Sequence, residues 1–333
     1  GVIMRILVTG GSGFVGSHSV AALTTAGHQV RVMARSPAKV TGTLEPLGTN
    51  MDAVEVTEGD LLDHAAVERA VDGMDAVLHA ASVYSLDIRR AAEIDRVNLE
   101  GTKHLLHLAA GRKLDPIVHV SSVAALWRQG VTVQSLHADA PVGDAAFSYS
   151  ASKAEQERIA RRLQDDGAPV VTTYPGQVLG PGDPHEGVGT RLLRSIMRGE
   201  LVMCPRGDIP VVDVRDLADL HARLFEPGKG PRRHLIAQRV PVPDLVRLTL
   251  RLAGRSLPVL PVPDLVIRGA GRAAGWLQSR IKQPLSFGDE SSWIVTQRIK
   301  VDMSSAERLG VRCRPLEETI ADQLAWQKSA GRL

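Results

Sequence analysis

Two residues suited to proton transfer, Tyr149 and Lys153, stand four positions apart at the start of a predicted helix. That spacing places both side chains on one face of the helix, one turn from each other. A lysine ammonium beside a phenol favours the phenolate, so the pair could exchange a proton with a substrate alcohol or ketone. Ser122, after the fifth predicted strand, could donate a hydrogen bond to the same substrate oxygen. The pattern predicts a catalytic group; a surface tyrosine stacked on a lysine stem is the structural alternative.

A glycine-rich turn with Gly10, Gly13 and Gly16 lies between the first predicted strand and the first predicted helix. Glycines there permit a tight turn and let backbone N–H groups, including those of Phe14 and Val15 at the helix start, approach a pyrophosphate. The spacing alone is a weak signal in a chain with 31 glycines. The strand before it and the helix after it supply the required context. We predict a dinucleotide site, with a purely structural turn as the alternative.

The end of the second predicted strand discriminates between the nicotinamide cofactors. An acidic side chain there would bind a ribose 2′-OH, whereas an arginine would accommodate a 2′-phosphate. The chain has Arg35 there, with Lys39 close behind and no carboxylate nearby. NADP(H) is therefore favoured, and NAD(H) is the alternative if Arg35 is an ordinary surface residue. Asp60, followed by Leu61 after the third strand, could contact the adenine end of the cofactor or cap the following helix.

These residues need a scaffold of short buried strands alternating with helices, and the first half of the chain shows that alternation. Predicted strands cover residues 5–9, 29–34, 53–58, 76–80, 117–121 and 170–174. The alternation predicts an α/β fold with a Rossmann-type, doubly wound parallel sheet. We predict an NADP-binding Rossmann domain at 4–174, which includes the catalytic Ser, Tyr and Lys.

Beyond Pro175 the pattern gives way to Gly- and Pro-rich loops. Predicted helices lie near 189–198, 215–225, 243–253 and 316–327. We interpret 175–333 as a smaller, mainly substrate-binding lobe, with some segments returning to the Rossmann core.

Together these features resemble the extended short-chain dehydrogenase/reductases, the NAD-dependent epimerase/dehydratase superfamily, over nearly the whole chain. The shared motifs are the glycine-rich turn, Asp60, His79-Ala80-Ala81-Ser82, Asn98 with Gly101-Thr102, Ser121-Ser122, Tyr149 to Lys153 and Pro175-Gly176. The resemblance implies that the serine, tyrosine and lysine form the catalytic trio. It also implies that Asn98 supports a water relay to the lysine.

The same resemblance assigns a second set of residues to the cofactor. Ala80, Ala81 and Ser82 would line the cofactor cleft, and Pro175, Gly176 and Val178 would border the nicotinamide. Taken by itself, His79 is more often a hydrogen-bonded interior histidine.

Within the superfamily, the chain is similar to dihydroflavonol-reductase-like and 3β-hydroxysteroid-dehydrogenase-like members. Sugar-nucleotide dehydratases usually place Thr-Asp-Glu at the serine and many epimerases place Val-Tyr-Gly just after it, whereas this chain reads Ser122-Val-Ala-Ala-Leu-Trp127. We expect an NADP(H)-dependent oxidoreductase that reduces a ketone or oxidises a secondary alcohol on a lipophilic or aromatic small molecule. A sugar or sugar-nucleotide epimerase, with Arg191 and Arg194 as phosphate ligands, is the alternative enzyme. An NADP(H)-binding sensor without turnover is the alternative outside enzymes.

The substrate pocket is expected to be largely apolar. The segments expected at the cleft are 83–86, 123–127, 177–179 and 196–197. The alternative is that Leu126, Trp127 and Leu179 simply pack between the lobes.

Composition excludes other classes of protein. A hydrophobic content of 44% with 23% charged residues is an ordinary globular balance. The 40 basic and 37 acidic residues form no basic stripe, so we expect no nucleic-acid partner. The two cysteines offer neither a disulfide framework nor a zinc spacing, so we expect no metal and, by default, a cytoplasmic location.

Two apolar stretches resemble membrane segments at first sight. Glycines break the stretch 6–30, and the run 257–277 contains Asp264, Arg268, Arg272 and three prolines. We expect no membrane association, with a position of the second run on a membrane surface as the alternative. The expected partner is a small-molecule substrate. A homodimer is expected only because dimers are the commonest oligomers of soluble proteins.

Overall fold

The computed structural model describes residues 1–82, 90–285 and 287–333. Its strands are β1 (Arg5–Thr9), β2 (Gln29–Ala34), β3 (Val54–Glu58), β4 (Ala76–His79), β5 (Ile117–Val120), β6 (Gln134–Leu136), β7 (Val170–Pro175), β8 (Gln177–Leu179), β9 (Met203–Cys204), β10 (Asp208–Asp213), β11 (Arg232–Ile236), β12 (Gln238–Pro241), β13 (Leu260–Pro261) and β14 (Ile299–Val301). Its helices are α1 (Phe14–Thr25), α2 (Pro37–Leu44), α3 (His64–Val71), α4 (Ala91–Gly111), α5 (Ser148–Asp165), α6 (Val188–Met197), α7 (Val214–Ala222), α8 (Val242–Leu252), α9 (Asp264–Gln278), α10 (Asp289–Ile294), α11 (Ser304–Glu307) and α12 (Leu316–Ser329).

Seven parallel strands form the central sheet in the order β3-β2-β1-β4-β5-β7-β11. All residues of β4 and β7 are buried, as expected for strands covered by helices on both faces. The chain winds outward from β1 to β3 and then crosses back to β4 on the other side of β1. Such a switch point leaves a crevice at the carboxyl ends of β1 and β4, where ligands bind in sheets of this kind. The predicted doubly wound α/β fold is confirmed.

The segment after Pro175 contains more β structure than the sequence pattern indicates. β11 pairs in parallel with β7 and completes the central sheet, although it begins with two arginines and lacks a continuous apolar run. A separate sheet of β12, β10 and β8 packs with α6, α8 and α12 around Leu193, Leu245 and Ile320. Sequence periodicity missed these short strands because tertiary pairing, and not a local pattern, defines them.

None of the helices in the described ranges combines the length and the apolar character that crossing a bilayer requires.

Candidate active site

The loop between β1 and α1 brings backbone atoms too close for side chains at Gly10 and Gly16. Gly10 has a φ of +74°, and a Cβ there would lie 2.7 Å from the backbone nitrogen of Ala81. A Cβ on Gly16 would lie 1.8 Å from the carbonyl oxygen of Gly10. These contacts match the roles of glycine in a dinucleotide-binding turn, namely close approach of backbone and close packing of helix on strand.

The N-terminus of α1 is left open toward this loop. Gly13 is its N-terminal cap residue, and no side chain of the described residues caps the helix. The first N–H groups, on Phe14, Val15 and Gly16, have no partner within a helix of this kind. The positive end of the helix dipole adds to their attraction for an anion. The cradle therefore fits the pyrophosphate of a dinucleotide.

The carboxyl end of β4 forms the facing wall of the crevice. The Ala80 N–H donates to the Thr9 carbonyl at 3.2 Å, and the Ala81 N–H donates to the Thr9 hydroxyl at 3.3 Å. Ala80 and Ala81 are half-buried, and Ser82 is exposed. The structure thus holds the first two of these residues against the phosphate loop and leaves the third at its rim.

Two buried imidazoles lie close to Lys153. His79 is hydrogen-bonded to the hydroxyls of Thr9, at 2.7 Å, and Thr102, at 2.9 Å. His119 stacks on it with ring centroids 6.0 Å apart. Burial, and then the charge of Lys153, lowers the pKa of His79 to about 4. Burial, His79 and Lys153 hold the pKa of His119 well below its ordinary value. Both rings are neutral near pH 7, so the positive charge at this point of the crevice comes from Lys153.

α5 places Tyr149 and Lys153 on one face, as the spacing predicts. The Lys153 Nζ lies 5.8 Å from the centre of the Tyr149 ring, and Tyr149 is 51% exposed. Further along the helix, Glu157 accepts hydrogen bonds from Arg161 at 3.0 Å and from the Tyr174 hydroxyl on β7. This buried connection fixes the helix against the central sheet.

Ser122 follows β5 and begins a short 3-10 turn over Val123–Leu126. Its Oγ accepts a hydrogen bond from the Ala124 N–H at 3.1 Å, which fixes the oxygen and leaves the hydroxyl hydrogen to be donated. The turn packs against α5. The chain leading into α5 is tied to the same turn, because Gly143 donates to the Ala125 carbonyl at 2.7 Å.

Glu290 is a residue of this site that sequence reasoning missed. Its carboxylate accepts hydrogen bonds from the backbone N–H groups of Tyr149, at 3.1 Å, and Ser150, at 3.0 Å. The Ser150 hydroxyl donates to it at 2.6 Å. Glu290 thus caps α5, whose own cap residue, Phe147, makes no side-chain cap bond. The residues lie 140 positions apart, so no local pattern could reveal the contact.

Arg35 and Lys39 lie beyond the carboxyl end of β2, which neighbours β1. Both side chains are exposed. Neither makes an ion pair or hydrogen bond with any side chain that the structure describes. The two cations are therefore available to an anionic group at this edge of the crevice.

Asp60 and Leu61 follow β3. The Asp60 carboxylate accepts from the Leu62 N–H at 2.9 Å, while Asp63 caps α3 through the Ala66 N–H at 3.2 Å. Asp63 and not Asp60 is therefore the N-terminal cap of α3, so capping, one of the two roles expected for Asp60, is wrong. Leu61 packs on α4, where a Cβ on Gly101 would lie 2.5 Å from its Cδ2.

The remaining predicted residues lie on neighbouring elements. Asn98 is half-buried on α4, one turn before Gly101. Pro175 ends β7, and a Cβ on Gly176 would lie 2.7 Å from the Pro210 carbonyl oxygen on β10. Val178 is half-buried in β8.

The expected apolar lining of the pocket is partly wrong. Leu126 and Trp127 are 2% exposed and Leu179 is fully buried, so they pack in the interior, as the alternative interpretation had it. Ile196 is also buried. Segment 83–86 lies outside the described residues.

Aromatic side chains from two other segments lie near the start of α5 instead. The rings of Phe147 and Trp293 have centroids 5.3 Å apart, and both side chains are half-buried. Trp293 also makes an edge contact with Trp127 at 6.1 Å. Trp293 lies on α10, the helix that also carries Glu290. The same short helix therefore supplies both the cap of α5 and one ring of the aromatic pair.

The proposed phosphate ligand Arg194 already has partners. Its Nη2 lies 2.9 Å from Glu186, and its Nε donates to the Arg332 carbonyl at 3.2 Å.

Comparison with known proteins agrees with this geometry. The model of the NAD dependent epimerase/dehydratase family matches residues 6–237. A putative dihydroflavonol 4-reductase of Synechocystis sp. is 25% identical, with 97% of this chain and 94% of that protein covered. A 2-alkyl-3-oxoalkanoate reductase of Stenotrophomonas maltophilia is 31% identical, with 75% and 76% covered.

A solved structure shares the fold. UDP-glucose 4-epimerase from Bifidobacterium longum, in complex with NAD+ and UDP, gives a TM-score of 0.74 at 21% identity, covering 98% of this chain and 99% of that one. The family match spans the glycine-rich loop, α5 and all seven strands of the central sheet. This protein therefore belongs to the NAD-dependent epimerase/dehydratase family and is an NAD(P)-dependent enzyme of the extended short-chain dehydrogenase/reductase type.

Proposed function

We propose that the protein is an NADP(H)-dependent oxidoreductase that interconverts a ketone and a secondary alcohol on a lipophilic or aromatic small molecule. The observation that carries the proposal is the accessible Tyr149 with Lys153 one turn along α5. Lys153 acts electrostatically on the buried histidines at the carboxyl ends of β4 and β5. The closeness of Lys153 to these histidines supports a position of Tyr149 and Lys153 at the crevice beside the phosphate loop.

The reaction divides between cofactor and side chains. A bound nicotinamide cofactor supplies the hydride for reduction and accepts it for oxidation. In reduction, the Tyr149 phenol donates its proton to the carbonyl oxygen, and the Ser122 hydroxyl donates a hydrogen bond to the same atom. The Lys153 ammonium stabilises the phenolate that remains. In oxidation, the phenolate accepts the proton of the alcohol.

The preference for NADP(H) rests on Arg35 and Lys39. The 2′-phosphate is the group that distinguishes the two cofactors, and a guanidinium binds it through charge-assisted hydrogen bonds. Both side chains are exposed at the end of the strand next to β1, without a competing ion pair among the described residues.

The substrate class rests on the surroundings of Tyr149. Phe147 and Trp293 provide partly exposed aromatic surface at the start of the catalytic helix. Arg194 is paired with Glu186, and a diphosphate would have to compete for it. The two reductases named above carry names that refer to a dihydroflavonol and an oxoalkanoate, which are both ketones.

A panel of ketones and sugar nucleotides tests the proposal. We expect loss of NADPH absorbance with aromatic or long-chain ketones, and little turnover of sugar nucleotides. An epimerase would interconvert sugar nucleotides at constant absorbance, and a sensor would bind NADPH without turnover. Either of these results would contradict the proposed reaction.

A further inference from the structure

One side of α9 is exposed and almost entirely apolar. Leu265 is 85% exposed, Trp276 is 60% exposed and Val266 is 52% exposed. At 100° per residue these positions fall on one face of the helix. The exposed members of this outer face are Leu265, Val266, Gly269, Ala270, Arg272, Ala273, Trp276 and Leu277. A contiguous apolar surface of this kind marks an interaction site.

The opposite side of α9 is fixed to the rest of the protein. Ile267 is buried, and a Cβ on Gly271 would lie 2.0 Å from the Ser292 Oγ, so α9 packs closely on α10. Arg268 donates to the carboxylate of Asp289, at 2.7 Å, and to Ser292, at 2.6 Å. The inner side therefore has its partners, and the outer face remains directed to solvent.

The charged side chains that follow Leu265 along the chain are all basic, whereas Asp264, the first residue of α9, is paired with Arg298 at 3.5 Å. Residues 265–285 contain three arginines and a lysine and no aspartate or glutamate. Arg268 is paired with Asp289, whereas Arg272, Arg280 and Lys282 are exposed. Arg280 stacks on the Trp276 ring with its Cζ 4.3 Å from the centroid. Arg272 thus lies on the outer face, and Arg280 and Lys282 follow the end of α9. Apolar side chains and a tryptophan with cations beside them are the combination that binds at the boundary of an anionic bilayer.

A second copy of the chain fits this face less well. In a symmetric dimer the same patch meets itself. Arg272 lies within the outer face, so two copies would bring like charges together in an apolar interface, which is costly. An anionic surface removes this penalty, because each cation then meets an opposite charge.

We propose that the outer face of α9 binds the protein peripherally to anionic lipid bilayers. Leu265, Val266, Trp276 and Leu277 enter the interfacial region, and Arg272, Arg280 and Lys282 contact the lipid headgroups. α9 packs on α10, which carries Trp293 beside the catalytic helix. A bilayer on the outer side of α9 therefore lies close to the proposed site for lipophilic substrates. The binding itself stands independently of the proposed reaction.

Cosedimentation of the full chain with vesicles tests the proposal. We expect binding to vesicles of phosphatidylcholine with phosphatidylglycerol, and at least about tenfold weaker binding to phosphatidylcholine alone. Leu265→Glu should reduce binding to the anionic vesicles by about tenfold or more, because it places a carboxylate at the most exposed apolar position. Arg272→Glu should also reduce binding, and added salt should weaken it.

Ile3→Glu is the matched control, since Ile3 is also an exposed apolar residue, at 68%, but lies just before β1, at the amino end of the central strands. It should bind vesicles like the wild type. Circular dichroism and NADPH titration confirm that each variant is folded. The proposal is overturned if the wild type does not bind anionic vesicles, or if it binds neutral ones equally well. It is also overturned if Leu265→Glu converts a dimer to a monomer in size-exclusion chromatography without changing vesicle binding.

Discussion

Tyr149 and Tyr174 carry the same phenol in opposite surroundings. Tyr174 is completely buried, and burial together with the neighbouring Glu157 raises its pKa above the ordinary value. Its hydroxyl is committed to that carboxylate. Tyr149 is half-exposed, and its nearest named cation is Lys153. At the scale of single residues, accessibility and the absence of a carboxylate partner among the described residues therefore separate the phenol proposed for catalysis from the structural one.

Tyr149→Phe should reduce turnover by about a hundredfold or more, because it removes the proton donor for the substrate oxygen. NADPH affinity, measured by fluorescence titration, should change little. Tyr174→Phe is a control for stability, since it removes a buried hydrogen bond of a phenol that has no exposed surface. Turnover of Tyr149→Phe close to that of the wild type would show that another group transfers the proton.

Arg35→Ala should remove most of the preference for NADPH over NADH. We expect a wild-type preference of roughly tenfold to a hundredfold, which corresponds to one charge-assisted contact with the 2′-phosphate. Dissociation constants for both cofactors provide the measurement. Arg112→Ala, at an exposed arginine after α4, should leave the ratio unchanged. Equal affinity of the wild type for both cofactors would contradict the role of Arg35.

At the scale of elements, α5 is positioned by groups that lie far from it in the sequence. Glu157 connects its middle to Tyr174 and Arg161, and Glu290 from α10 caps its first turn. A carboxylate at a helix N-terminus satisfies free N–H groups and interacts favourably with the helix dipole. Because one of the capped N–H groups belongs to Tyr149, α10 directly supports the position of the proposed proton donor.

Glu290→Ala should lower the free energy of unfolding by about 1 kcal/mol, the usual cost of losing an N-cap. The turnover number should fall by roughly threefold to tenfold, because small displacements of a catalytic group are costly. NADPH affinity should be unchanged. Glu155→Ala is the matched control, as an exposed glutamate on the same helix. If Glu290→Ala lost stability without any change in turnover, the cap would be purely structural.

At the scale of the whole molecule, several buried histidines make the fold sensitive to acid. Burial lowers the pKa of His79 and of His234 to about 4, and that of His221 to about 3. His221 connects three elements, since it is hydrogen-bonded to Ser19 on α1, at 2.8 Å, and to Thr173 on β7, at 3.1 Å, while it belongs to α7. These rings are neutral in the folded protein.

The free energy of unfolding should therefore fall as the pH decreases from 6.5 to 4. In that range the unfolded chain binds more protons on these histidines than the folded chain does. This difference lowers the free energy of unfolding by about 2 to 3 kcal/mol for each histidine by pH 4. Urea unfolding at several pH values provides the measurement. His221→Gln cannot titrate, so its stability should decline less steeply than that of the wild type. An equal decline in both proteins would mean that carboxylates alone cause the acid sensitivity.

The amino-acid sequence by itself determined the features that depend on local chemistry. The glycines of the phosphate loop, the four-residue spacing of Tyr149 and Lys153, and the strands of the first half are all local patterns, and the structure places those strands within one residue of the prediction. Local steric limits and backbone periodicity produce such patterns directly.

Tertiary structure alone decided which distant groups meet. Glu290 reaches the first turn of α5, and β11 joins the central sheet despite its polar start. Trp127 is buried, although its position after Ser122 suggested a place in the cleft. Which side of α9 is exposed depends on the packing of α10 against its other side. Burial, capping and charge pairing depend on the positions of all neighbouring elements, and those positions result from packing of the whole chain.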